Sequence, residues 1–138
     1  METPFTRQTG VRVPLICGPM YPCSNVELVA AVSEAGGLGV VQPISLTYVH
    51  GDEFRAGLRR IRALTDKPIG FNALIEASSK LYFERMQKWI DIALEENVRF
   101  FLTSLGNPKW VCERVHAAGG VVYHDVTERK WARKGVDG

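Results

Sequence analysis

The 138 residues contain no apolar stretch near the roughly 18–20 residues that a membrane-spanning helix needs. A membrane is therefore not an expected partner. Charge of one sign is equally scarce: 17 Lys and Arg stand against 15 Asp and Glu, a net of +2, and the two signs are interspersed. Without a basic face, nucleic acid is not expected to bind either. Cysteine is low and odd, with Cys17, Cys23 and Cys112 at spacings that suit neither a zinc site nor a disulfide framework. Reduced thiols predict a cytoplasmic protein, and no metal is expected. Met1-Glu2-Thr3-Pro4 lacks the basic-then-apolar order of a signal peptide. A Gly-x-Gly-x-x-Gly fingerprint after a strand is also missing. Gly36-Gly37-Leu38-Gly39 precedes a strand instead, which argues against a dinucleotide site there.

The remainder is an ordinary globular composition, 46% apolar and 23% charged, enough for one domain over residues 1–138. Strands and helices alternate along it. Val11 to Cys17 is a short apolar run ended by Gly18-Pro19-Met20, which predicts strand then turn. Ser24 or Asn25 can cap a helix that Gly36-Gly37 stops, with Val26, Val29 and Ala30 on its apolar stripe. Leu38 to Val41 is the second strand, ended by Gln42-Pro43. A helix over about Asp52 to Leu64 carries Phe54, Leu58, Ile61 and Leu64 on one face. Pro68 to Phe71 is the third strand, ended by Asn72. A helix from about Lys80 to Glu96 comes next, then a fourth strand over Val98 to Leu102. Pro108 suits the first turn of the next helix. Gly120 to Tyr123 is the fifth strand, ended by His124-Asp125, and Thr127 caps a last helix that runs out near Lys134-Gly135.

Alternation of this kind means parallel strands with right-handed crossovers, hence an α/β fold. A doubly wound sheet of five strands would be complete at this length, whereas a (β/α)₈ barrel typically needs about 250 residues. Both stay open on spacing alone. In either fold, binding groups gather at the carboxyl ends of the strands. Those ends hold small residues and neutral hydrogen-bonders, with no carboxylate pair, Ser-His-Asp order or metal cluster. A neutral mouth rich in donors and acceptors suits a planar polar ring such as a flavin.

Three segments together resemble one family. PLICGPMYPCSNVELVAAVSEAGGLGVV is similar to the opening of nitronate monooxygenases, with their P-(I/L)-x-x-x-P-M strand end and helix exit at A-G-G-L-G. TDKPIGFNAL is similar to their third strand, and LGNPKWVCERVHAAGGVVYHDV to their fourth and fifth units. Flavin-dependent enoyl-ACP reductases share the same frame. The resemblance implies the N-terminal half, about five βα units, of an FMN-binding TIM (β/α)₈ barrel. It further implies oxidation of alkyl nitronates by O₂ through FMN. Carried over, Gly18, Pro19 and Met20 fall where the first strand end contacts the flavin, and Asn72 where an asparagine bonds the isoalloxazine. His124 falls where a side chain approaches the ring, although many relatives carry Lys there.

The family's catalytic histidine comes after a Gly-Gly pair beyond the sixth strand, and its phosphate loops come after the seventh and eighth. His50, His116 and His124 are the only histidines here and none lies in that motif, so the catalytic residue is unassigned. Weak or no flavin binding by the chain alone is expected. A half-barrel would also leave open sheet edges through which copies could self-associate, and a non-catalytic assembling half-barrel is the reading from outside the enzymes.

Overall fold

In the computed structural model, which describes residues 1–76 and 78–136, five strands form one parallel sheet. They are β1 (Ile16–Cys17), β2 (Leu38–Val41), β3 (Ile69–Leu74), β4 (Phe100–Ser104) and β5 (Val121–Asp125), laid side by side in chain order. The helices are α1 (Pro4–Thr9), α2 (Val26–Glu34), α3 (Phe54–Leu64), α4 (Lys80–Glu95), α5 (Lys109–Ala117) and α6 (Arg129–Val136), with a π-helical segment at Ser45–Val49. A doubly wound sheet reverses its strand order at a switch point, whereas a barrel adds each strand beside the last. The unbroken order decides for the barrel: this is the N-terminal half of a TIM barrel. Among those residues, no helix is long and apolar enough to cross a membrane.

Side-chain alternation gives the sheet two differently filled faces. Val41, Phe71, Ala73 and Phe101 point outward and join the apolar stripes of α2 to α5 in the main core. Leu38, Val40 and Phe100 point to the concave side with Val11. Two details of the helix ends are set by composition. Asn25 accepts the Leu28 backbone amide at 2.8 Å and starts α2, and Gly36 takes φ +96 just after its end.

Four local expectations are corrected. Val11–Leu15 is not strand: Pro14 has no N–H to give, and the Arg12 and Val13 amides both donate to the Gly36 carbonyl. The third strand does not end at Asn72; its ladder with β4 runs on through Ala73 and Leu74. The fifth likewise extends to Asp125, so His124 lies inside it. The first residues, passed over as merely polar, form α1. Thr3 and Thr6 exchange side-chain and backbone bonds at 3.1 and 2.9 Å, Pro4 opens the first turn and Gly10 closes the last. Helix α1 covers the concave face where the strands begin. Phe5 meets Phe100 edge-on at 5.9 Å, and the Tyr123 hydroxyl donates to Gln8 Oε1 at 2.7 Å.

On the outer surface Glu96, at the end of α4, receives Arg55 and Arg59 of α3, both at 2.9 Å. Arg59 first and then Arg55 hold the Glu96 carboxyl below its usual range. A lowered carboxylate pKa contributes stability above the unfolded-state value, about 4.3, and loses it as pH falls through the folded value. Glu96→Gln is therefore expected to lower stability at pH 7 by up to about 1 kcal/mol, given the part-exposed arginines. The deficit should fade at pH 3, as comparison of urea midpoints at the two pH values will show.

Candidate functional site

The mouth of the half-barrel is built from the segments at the carboxyl ends of the strands. After β1 the chain turns through Gly18, Pro19 and Met20 into a loop closed on itself by Ser24. The Met20 amide donates to Ser24 Oγ at 2.9 Å, and the Ser24 amide to the Met20 carbonyl at 2.8 Å. From β2's side, Ser45 Oγ donates to the Pro22 carbonyl at 2.8 Å, and His50 Nε2 lies 2.9 Å from the same oxygen. Sequence reading missed Ser45 and His50 as anchors of this loop. Only the π-helical turn brings them to Pro22, more than 20 residues away in the chain. Gln42 is also consumed locally, since its Oε1 accepts the Ser45 backbone amide at the start of that turn.

Asn72 points to the concave side, two residues on from Gly70, whose added Cβ would meet Leu38, Val40 and Phe100 of that face. It is 4% exposed, and its Nδ2 donates to the Leu102 carbonyl at 3.2 Å. Its Oδ1 takes no partner among the described residues. Gly18 follows β1 and Asn72 stands on β3, so two strand spacings, roughly 10 Å across the sheet, lie between the strands that carry them. A Cβ on Gly18 would meet nothing within 4 Å, so the protein's own packing does not require glycine there. A ligand approaching the backbone would. Met20 is 44% exposed beside it.

His124 is not brought together with them. In β5, Val121 and Tyr123 join the concave cluster, whereas Val122 packs against the main core. His124 shares the Val122 row and faces the helices. Its Nδ1 lies 2.9 Å from Oγ1 of the fully buried Thr103, which also lies 3.3 Å from the Tyr123 carbonyl. Alternation gives Asp125 the concave-side place that had been expected for His124. No group of three or more His, Cys, Asp or Glu side chains that could hold a metal occurs among the described residues. Cys112 is pushed above the usual thiol range by burial, which keeps it protonated at neutral pH and unsuited to nucleophilic attack.

With five strand ends laid out in barrel order, the family model described as nitronate monooxygenase matches residues 2–130. The chain belongs to the nitronate monooxygenase family. Among its relatives, the nitronate monooxygenase of Pseudomonas aeruginosa is 38% identical over 91 residues, covering 66% of this chain and 25% of that protein. A carboxyl-CoA dehydrogenase acting on an octahydroindene, from Mycobacterium tuberculosis, is 29% identical over 134 residues, 97% of this chain and 35% of its own length. A point mutant of FabK from Thermotoga maritima superposes with TM-score 0.81 at 26% identity, over 96% of this chain and 42% of that one. The chain thus spans about a third or less of the curated relatives it matches. The family is related to the enoyl-ACP reductases that share its frame.

Proposed function

We propose that this member of the family supplies the ring side of an FMN site in an enzyme that oxidises alkyl nitronates with O₂. The observation that carries the reading is Asn72. It is a buried carboxamide on the concave row of β3 whose amino group is spent on Leu102 and whose carbonyl oxygen takes no partner among the described residues. In that arrangement the side chain cannot rotate without losing its own bond, so Oδ1 is a fixed acceptor for a ring N–H. Gly18 and Pro19 would bring main chain against the ring edge, and Met20 would cover part of one face. When bound, FMN would take electrons from the nitronate and pass them to O₂. The protein's part is to hold the ring in a fixed orientation with few competing waters. His124 would act from behind the sheet, by bracing the end of β4 through Thr103.

A second reading is favoured by the FabK superposition over nearly the whole chain and by the CoA-ester dehydrogenase among the relatives. It is a flavin-dependent reductase of enoyl thioesters. Oxygen uptake by the polypeptide of the full reading frame, with FMN supplied, separates the two. Uptake that starts on adding propyl nitronate supports the monooxygenase. No uptake, together with NAD(P)H oxidation driven by an enoyl thioester, would transfer the site to the reductase.

A further inference from the structure

The interface between α6 and the sheet breaks the rule that the other helices obey. Parallel sheets are covered by apolar residues on both faces. Helix α2 meets β2 and α5 meets β5, with Val26, Val29, Val111 and Val115 all buried in the main core. Helix α6 buries no residue at all. Where aliphatic side chains would be expected it presents Trp131, Lys134 and Gly135, and the strand opposite presents His124. Gly135 comes so close that an added Cβ would stand 3.2 Å from the His124 ring. Between α6, the end of β5 and the loop after β4 lies a cavity of about 560 Å³. That is within the range of sites for small organic ligands, roughly 300–1,000 Å³.

We propose that this cavity is a binding site for an aromatic carboxylate of one or two rings, separate from the concave-side ring site. Leu105, Pro108 and Val126 wall it with apolar surface, and Trp131 contributes an aromatic face. The positive end is Lys134, whose ammonium lies over Trp131 at 5.8 Å and has no carboxylate partner among the described residues. His124 has Nδ1 occupied by Thr103, so Nε2 is the ring nitrogen left for a ligand oxygen. Helix α6 carries Arg129, Lys130, Arg133 and Lys134 with no acidic residue, which raises the concentration of small anions near the opening. Asp125 also borders the cavity, and its charge disfavours a phosphate or other polyanion. A single negative charge on an aromatic body satisfies both signs.

Calorimetric titration of the chain with 2-naphthoate tests the site, with neutral 2-naphthamide as the control and no flavin present. Saturable binding is expected, at least tenfold weaker for the amide. Lys134→Met and His124→Leu should each weaken naphthoate at least fivefold. Lys134 is exposed, so its variant folds even where the His124 variant does not. Absence of saturable heat, equal binding of acid and amide, or undiminished binding by the Lys134 variant would each overturn the assignment. None of these outcomes depends on nitronate turnover.

Discussion

Gly39→Ala is expected to leave the chain largely unfolded under conditions where the parent is stable. A Cβ at position 39 would stand 2.3 Å from the Val29 carbonyl oxygen, 2.9 Å from its carbon and 3.0 Å from its Cα. These are backbone atoms of α2, so no rotamer change relieves the clash. The helix would have to move away from β2 as a body, withdrawing Val26, Val29 and Ala30 from a core in which each is at most 3% exposed. Overpacking that only moves side chains costs about 1–3 kcal/mol; shifting a helix should exceed that, a large share of a typical stability of about 5–15 kcal/mol. Gly18→Ala is the matched control, because its Cβ meets nothing and its effect should stay within about 0.5 kcal/mol. Urea unfolding followed by circular dichroism measures both. A Gly39 variant within about 1 kcal/mol of the parent would mean that α2 does not sit on β2 this closely.

Asn72→Leu is expected to weaken FMN binding by about 10- to 100-fold, the loss of a buried acceptor worth about 1.5–3 kcal/mol. Leucine matches asparagine in shape and stands beside Leu102 on the apolar concave face, so the fold should tolerate it. The one internal bond lost is that to the Leu102 carbonyl, and the thermal midpoint should move by only a few degrees. Flavin fluorescence titration gives the affinity and circular dichroism the midpoint. A stable variant that binds FMN within twofold of the parent would remove Asn72 from the ring site. Equal losses in binding and stability would instead mark it as a packing residue.

The contrast between Asn72 and His124 shows how far strand-end reasoning reaches. Both were placed at the carboxyl ends of strands by the same argument, from an apolar run that stops at a polar residue. Side chains on successive residues of a strand point to opposite faces, so an error of one residue in a strand's end exchanges mouth for helix layer. The β3 ladder runs on past Asn72, yet the residue falls on the concave row; the β5 ladder runs past His124, which falls on the other. Composition offers no warning, because both faces of a parallel sheet are apolar.

The sequence by itself determined the alternation of five strands with the helices that follow them, the parallel sheet, the helix stop at Gly36-Gly37, and the neutral character of the strand ends. These depend on periodicity and local backbone preference, which act within a few residues. Tertiary structure alone decided three things. Strands succeed one another without reversal, which turns a five-stranded α/β chain into half a barrel. Helix α1 closes the floor, because Phe5 and Gln8 find Phe100 and Tyr123 more than 90 residues away. Asn72 and His124 take opposite sides of one sheet. Each of these rests on which distant surfaces meet, and a linear pattern of apolar and polar residues carries the tendency to be buried but not the partner.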